Sequence, residues 1–409
     1  MRPIRITGDP QAVIANQVSR LIRKFEYPFT EPFVPADQGD GGGGEMTVAV
    51  AAASASDLSK SKADIVCTGV NDDGTINGAW DLAGVTDAHV VLSEGVFNIG
   101  ADVIVMPDNA TLSGKGWQTR LSTTATSGTL IEMTGRNLVA NLQIQRAAAA
   151  GNTLIGIELG ELCQVFQVRG EQLQTFIGLP GASDCYVGAC FADTCNEFIT
   201  ASAGFEQLLV IGNQAIGVVD LGTAFYARVI GNRFQGGSVS MLQASAGAEV
   251  VIADNQFVSS SDWDIEVSGV TDWIIANNAS SLGTNGISVA GDRVSIVGNS
   301  VGGEGFLGGD GIEVVGNQNS VLGNIITMPG QDATNTFDGI RTTGNENHVQ
   351  GNRVIPHADT RYGINIVSGN DNAVFANYLG DASVYGTADY VDGGTGTITT
   401  PDANGQFTF

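Results

Sequence analysis

Short apolar stretches alternate with polar positions along most of this chain. Val294-Ser295-Ile296-Val297 and Ile312-Glu313-Val314-Val315 show a side-chain period of about two residues, which is the period of a β-strand. Between Ile211 and Tyr378, no run of ten residues lacks Gly, Asn or Asp. Because these residues disfavour helix interiors, the pattern predicts many short strands separated by turns.

A three-residue signature that ends in Asn recurs through the same region. Its steps range from 19 to 28 residues, with a mean of about 23. The asparagines are Asn213, Asn232, Asn255, Asn278, Asn299, Asn324, Asn352 and Asn377. The late units also share the phrases x-Gly-Ile-x and Gly-Asn-x-Asn. A near-constant period of this size indicates a repeat architecture.

Each late unit has room for three short strands and three turns, which describes one rung of a coil with three faces. A helical repeat needs helix-forming stretches that these units lack. A leucine-rich repeat has a similar length, but Leu is sparse here and the LxxLxL spacing is absent. A coil with rungs ~4.8 Å apart places like residues above like, so that each rung bonds its backbone to its neighbours.

From about Phe205 to Tyr378 the chain resembles the right-handed parallel β-helix, or pectate-lyase-like, family, and a weaker resemblance continues back to about Ala63. Residues 89–116 contain the pattern V-x-L-x-x-G-x-[YF]-x-I followed by L-x-G-x-G, and they resemble the opening rungs of phage tailspikes and other β-helix proteins. The resemblance implies an all-β, right-handed, single-stranded parallel β-helix. It also implies a structural side-chain ladder at one corner, formed by Asn299, Asn324, Asn352 and Asn377.

The pattern divides the chain into four segments. Residues 1–37 are an anchoring helix followed by a Pro and aromatic arm, and residues 38–45 are a Gly-rich linker. Residues 46–379 are the β-helix, with regular coil from about Asp64, and residues 380–409 are a C-terminal β cap. Residues 46–62 fit either a short helix or a strand followed by a loop.

The N-terminal segment carries an apolar stripe at helical spacing, followed by an aromatic arm. The anchoring side chains are Ile14, Val18, Leu21, Phe25, Phe29 and Phe33. This segment either packs back on its own coil or anchors the chain to a larger assembly, by exchange between subunits or by contact with other proteins. We favour the anchor, because about 35 residues are too few to hold a core alone.

The net charge and the cysteine spacing exclude several classes of partner and ligand. The net charge is −25, although residues 1–25 carry a net of +4. An acidic body argues against nucleic acid and anionic membranes as partners. No apolar run reaches 18 residues, so no membrane insertion is expected, and no apolar leader follows Met1. The five cysteines match no zinc spacing, so we expect buried thiols, no metal and no cofactor.

Aligning the Ile of each x-Gly-Ile-x phrase places polar residues in two columns. One column is Trp263, Asn285, Asp310, Asp338 and Tyr362, and the other is Glu266, Ser288, Glu313, Arg341 and Asn365.

These columns carry the candidate chemistry. Asp310 and Asp338 fall ~5 Å apart at Cα, a spacing that raises the pKa of one carboxyl and suits an acid/base pair. With Glu313 they are the candidate catalytic residues. The candidate substrate-binding residues are Trp263, Glu266, Arg341, Tyr362, His357 and Arg361. The alternative is structural: Asp before Gly is ordinary turn chemistry, Glu313 with Arg341 fits a surface ion pair, and His357 fits a solvated loop.

Three functions fit these features. The first is a structural virion protein of a tailed bacteriophage, either a tailspike or another spike or decoration. Such a protein would be a homotrimer held by other virion proteins through the N-terminal arm. Its β-helix would be displayed to host surface polysaccharide. The second is a polysaccharide lyase or glycoside hydrolase. The third is an adhesin that binds carbohydrate without cleaving it.

Overall fold

The computed structural model describes residues 46–400 with gaps at 84–86, 148–150, 238–239, 282, 303–308, 328–335, 381–384 and 386. The predicted anchor and linker therefore lie outside the described residues. The predicted anchoring side chains also lie outside the described residues; they are Ile14, Val18, Leu21, Phe25, Phe29 and Phe33.

The described residues form the predicted right-handed parallel β-helix, a solenoid of about 12 turns. Each turn, or rung, contributes strands to three faces. Face 1 holds Ile104–Met106, Ser127–Met133, Thr153–Glu158, Thr175–Leu179, Glu197–Ala201, Val218–Asp220, Leu242–Ala244, Trp263–Thr271, Asn285–Asp292, Ile312–Val315, Asp338–Thr343, Tyr362–Ser368 and Ala388–Asp392.

Faces 2 and 3 follow face 1 within each rung. Face 2 holds Thr47–Ala51, His89–Leu92, Thr111–Ser113, Leu138–Ala140, Gln164–Phe166, Ser183–Gly188, Phe205–Ile211, Arg228–Ile230, Val251–Ala253, Ile274–Ala276, Ser295–Val297, Ser320–Leu322, His348–Gln350, Ala373–Phe375 and Ile398–Thr400. Face 3 holds Gly95–Ile99, Thr119–Thr123, Gln143–Arg146, Arg169–Glu171, Phe191–Asp193, Gln214–Ile216, Arg233–Gly237, Gln256–Ser260, Ala279–Ser281, Ser300–Val301, Ile325–Thr327 and Arg353–Ile355. Three further short strands lie beside these stacks. Ile65–Val66 pairs with the end of Thr47–Ala51. Thr223–Phe225 pairs with the start of Phe205–Ile211 and with Ala246–Ala248, which in turn pairs with the end of Trp263–Thr271.

The first rungs differ from the sequence prediction. Residues 46–62, for which the sequence fits either a helix or a strand, contain both: a strand at Thr47–Ala51 and a helix, α1, at Asp57–Lys62. A second helix, α2, spans Asp72–Ala83 and was not predicted. It buries Ile76, Ala79 and Trp80 against the first strands of the coil. Its two glycines give it low helix propensity, so burial at the end of the core stabilises it more than its local sequence does.

The coil also extends further at both ends than the regular repeats indicate. Val48 already pairs with Val90 in parallel register. At the other end Ile364 pairs with Tyr390, and Val374 pairs with Thr399. The segment expected to form a β cap therefore adds strands to faces 1 and 2 in the same register. A one-turn 3₁₀ helix, Gly116–Gln118, lies between faces 2 and 3.

Inward side chains stack in apolar columns. Val229, Ile252, Ile275, Ile296 and Val321 lie one above another on face 2, and each is fully buried. Four phenylalanine rings also stack along the core, and neighbouring ring centroids are 5.5–6.4 Å apart. Phe176 and Phe198 belong to face 1 strands, and Phe234 and Phe257 belong to face 3 strands. Each such side chain contributes roughly 1.5–3 kcal/mol by burial.

The eight asparagines of the repeat form one continuous ladder at the corner between faces 2 and 3. In it, the backbone N–H and Nδ2 of Asn299 donate to Oδ1 of Asn324 at 2.9 and 3.0 Å, and Nδ2 also donates to the Ile275 carbonyl at 2.9 Å. Asn324 repeats these bonds with Asn352, and Asn352 with Asn377. The ladder thus satisfies buried backbone groups where the strands turn and cannot pair.

We predict that Asn299→Ala destabilises the protein by about 3 kcal/mol, because it leaves the buried N–H of Asn278 and the Ile275 carbonyl without partners. Thermal or denaturant unfolding measures the change. Asn345→Ala is the matched control, because Asn345 bonds Asn317 in an exposed amide stack. Equal losses in the two variants would contradict a special role for the buried ladder.

Candidate functional site

The predicted columns of face 1 are present in the structure. Ile265, Ile287, Ile312, Ile340 and Ile364 pair in sequence along the stack. This register aligns Asp310 with Asp338 and Glu313 with Arg341 on neighbouring rungs. Glycine precedes each of the last four isoleucines because a Cβ there would lie within about 2–3 Å of the next rung's carbonyl, as at Gly286 and Gly339.

The side chains of Asp310, Glu313, Asp338, Arg341 and Arg361 form one cluster, which we call the Asp310 cluster. Asp338 is its most enclosed carboxylate, with no exposed surface. Arg361 binds it with two hydrogen bonds, Nε to Oδ1 at 2.9 Å and Nη2 to Oδ2 at 2.7 Å. Asn365 Nδ2 donates to Oδ2 at 2.7 Å. The hydrogen bonds from Arg361 to Asp338 raise the pKa of the guanidinium. Asp338 is thus a fully partnered anion that orders the rung.

Asp310 lies on the preceding rung in a different environment. Its Oδ1 accepts the backbone N–H of Asp338 at 2.6 Å, and only 7% of the residue is exposed. Burial raises the pKa of Asp310 to about 6, against a lowering contribution from that hydrogen bond. The charges of Asp338 and Glu313 raise it further, and Arg341 lowers it. Asp310 can therefore hold or release a proton near neutral pH.

Arg341 lies between two carboxylates. Its Nη1 is 3.0 Å from Glu313 Oε1 and 3.9 Å from Asp310 Oδ2. The Arg341 and Glu313 side chains remain partly exposed, at 37% and 22%. This pair forms the open edge of the cluster, where a ligand hydroxyl can reach both charges.

The other candidate binding residues lie at varying distances from this cluster. Tyr362 pairs with Asp338, and the Arg361 guanidinium carbon is 5.1 Å from its ring centroid. Trp263 and Glu266 share face 1 but lie on an earlier rung, where Glu266 accepts from Ser240 at 2.5 Å. His357 lies in the turn before face 1, with Nδ1 at 3.3 Å from Asp359 Oδ2.

Two features escaped the sequence analysis. The first is a groove of about 520 Å³ beside the middle of face 1, lined by Asp220, Gln243, Glu266, Ser245, Ser268 and Thr223. The second is Asp264, which stands where later rungs have glycine. It is buried, accepts from Ser260 Oγ at 2.7 Å and from Ser280 Oγ, and burial raises its pKa to about 6. Its departure from the glycine column was a signal visible in the sequence.

Comparison with known proteins supports the fold. No known sequence family and no curated protein matches the chain. Among solved structures, tailspike protein 3 of bacteriophage CBA120 matches with a TM-score of 0.53 and 13% identity, over 98% of this chain and 70% of that chain. The A-module of mannuronan C-5 epimerase AlgE6 from Azotobacter vinelandii matches with a TM-score of 0.52 and 14% identity, over 81% and 96%.

A third similar structure is the catalytic unit of a GH87 alpha-1,3-glucanase from Streptomyces thermodiastaticus. Its TM-score is 0.51 at 12% identity, over 90% of this chain and 72% of that chain. The chain shares the parallel β-helix fold with these three structures. At these identities, the likeness shows the fold alone.

In the described ranges, no group of three or more His, Cys, Asp or Glu side chains is placed to hold a metal ion. The five cysteines are buried free thiols. No helix within the same ranges is long and apolar enough to cross a membrane.

We predict that Arg361→Gln destabilises the protein by about 3 kcal/mol, because it leaves the buried carboxylate of Asp338 without its cation. The double variant Arg361→Gln, Asp338→Asn should recover part of the loss. Denaturant unfolding at pH 7 measures both. Arg293→Gln breaks an exposed pair with Asp272 and should change little. A loss from Arg361→Gln no larger than this control's would contradict the structural role.

Proposed function

We propose that this protein binds glycans along face 1 as a component of a tailed-phage particle. The observation that carries the binding function is the polar surface of face 1, where outward carboxylates, amides and hydroxyls adjoin the 520 Å³ groove. From Asp220 to Asn365 this surface crosses six rung spacings, about 29 Å, which accommodates several sugar rings. Fixed polar groups beside a groove suit a ligand rich in hydroxyl groups.

The role in a virion rests on the order of segments. An apolar helical stripe, an aromatic arm and a Gly-rich linker precede the coil, and this arrangement suits an anchor followed by a display domain. Sharing a fold with a phage tailspike over almost the whole chain is compatible with this role. Under the proposal, residues 1–37 bind other virion proteins, the assembled protein is a homotrimer, and host surface polysaccharide is the partner of face 1.

We predict that deleting residues 1–45 separates the two activities. The truncated protein should remain a folded β-helix and bind host cells that carry surface polysaccharide, but should no longer join particles. Circular dichroism, binding to host cells and particle composition measure the three outcomes. Normal incorporation of the truncated protein would exclude the anchor. Failure of both the truncated and the full-length protein to bind the cells would exclude glycan binding.

Cleavage of the bound glycan is the second candidate function, and the raised pKa of Asp310 favours it. In hydrolysis, protonated Asp310 gives its proton to the glycosidic oxygen as the bond to the anomeric carbon breaks. The oxygen of a water molecule bonds to that carbon, and the proton that this water releases restores the acid form of Asp310. A lyase reaction would instead use Asp310 as a base. If the protein binds the polysaccharide but releases no oligosaccharides, cleavage is excluded and the adhesin function remains.

We predict that Asp310→Asn lowers any hydrolytic rate by at least about 100-fold while preserving folding, because the amide still accepts the Asp338 N–H. The wild-type rate should fall as pH rises through about 6, since the acid form of Asp310 is lost there. Release of reducing ends measures the rate. Asp254→Asn, at an exposed turn, is the control. An unchanged rate in Asp310→Asn would exclude Asp310 as the acid.

A further inference from the structure

We propose that the face 1 groove selects uncharged or cationic glycans and rejects polyanionic ones. This inference rests on the proposed glycan-binding function and specifies its substrate class. It follows from how charge is distributed among the faces of the coil, which the overall charge of the chain does not show.

One outward column runs the length of face 1 and is rich in carboxylates. Its residues pair rung by rung. They are Val105, Glu132, Glu158, Gly178, Thr200, Asp220, Gln243, Glu266, Ser288, Glu313, Arg341, Asn365 and Val391. Arg341 is the one cation of this column. In the groove this column supplies two carboxylates, Asp220 and Glu266, so a ligand lying there meets negative charge.

Hydroxyl and amide groups orient these carboxylates without neutralising them. Thr129 Oγ1 donates to Glu158 at 3.0 Å, Gln243 Nε2 to Asp220 at 2.9 Å, and Ser240 Oγ to Glu266. On face 1, the ion pairs between described residues lie in the Asp310 cluster, where Arg341 and Arg361 are held by carboxylates. The middle of the groove thus has ordered acceptors for sugar hydroxyls and an uncompensated negative field.

Face 3 shows that this charge is not a uniform property of the surface. Its corresponding outward column also pairs rung by rung. That column is Val96, Arg120, Gln143, Arg169, Phe191, Gln214, Arg233, Gln256, Ala279, Ser300, Ile325 and Arg353. It contains four guanidiniums and no carboxylate. The two carboxylates elsewhere on the face 3 strands, Glu171 and Asp193, are both paired with Arg169. Among the described strands, carboxylates without an ion-pair partner are therefore concentrated on the face that carries the groove.

The charge distribution also separates the two cleavage reactions. Elimination across a glycosidic bond needs an acidic C–H next to a carboxyl group, which uronate sugars supply. A uronate carboxylate in the middle of the groove would lie close to Asp220 and Glu266 and be repelled by both. An uncharged or amino-sugar glycan avoids this repulsion and leaves hydrolysis as the reaction open to Asp310.

The test measures binding of the full-length chain to bacterial surface polysaccharides with uncharged, amino-sugar or uronate-containing repeats. Each uronate polysaccharide is also tested after its carboxyl groups have been reduced to alcohols. We expect binding in the uncharged or amino-sugar class, and carboxyl reduction should raise affinity about tenfold or more at low salt, with a smaller gain at high salt. Tighter binding to the unreduced uronate form would overturn the inference and leave glycan binding intact. No binding to any of these polysaccharides would overturn both.

A matched pair of variants assigns the selectivity to face 1. Asp220→Asn with Glu266→Gln removes two carboxylates beside the groove, and Glu171→Gln with Asp193→Asn removes two from face 3. The face 1 variant should lose several-fold of the preference for carboxyl-reduced over unreduced polysaccharide, and the face 3 variant should keep it. Equal effects of the two variants would show that total charge, and not the groove, sets the preference. Thermal unfolding confirms that both variants are folded.

Discussion

The stacking of each rung on the next is the constraint on which the structure depends. Parallel strands fix the spacing at ~4.8 Å, so a residue type that suits one rung must suit its neighbours above and below. Apolar columns, the phenylalanine stack and the asparagine ladder all follow from this rule. The ladder matters most at the corner, because the strands turn there and the buried backbone would otherwise lack partners.

The same rule concentrates charge. When a carboxylate recurs at one position of the repeat, negative charge accumulates along the face that holds that position. When arginine recurs at a position on another face, positive charge accumulates there. In this protein the negative charge adjoins the groove and the positive charge lies on face 3. Glycan binding and its selectivity are proposals that use this arrangement, since a line of fixed acceptors suits hydroxyl groups and opposes anions.

The Asp310 cluster shows how neighbouring rungs give two like residues different properties. Both are aspartates before glycine on the same column. Asp338 receives a two-bond contact from Arg361 and a third bond from Asn365, so its charge is compensated. Asp310 is largely buried, and its nearest ion-pair partner among the described residues, Arg341, is 3.9 Å away, so its pKa rises to about 6. A carboxyl with a raised pKa and a carboxylate paired with arginine are thus built from one repeated motif.

The sequence by itself determined the fold class and the late register, because a repeat that stacks on itself makes the neighbours of each residue readable from the period. The pairing of Glu313 with Arg341 was predicted on this basis, and the structure confirms it. Helix α2 could not be predicted, because its weak local propensity is overcome by burial of Trp80 on the first rungs. Only the tertiary structure decided that Arg361 binds Asp338 and that Asp220 and Glu266 line a groove. These contacts depend on side-chain directions and turn shapes, which vary from rung to rung and leave no period in the sequence.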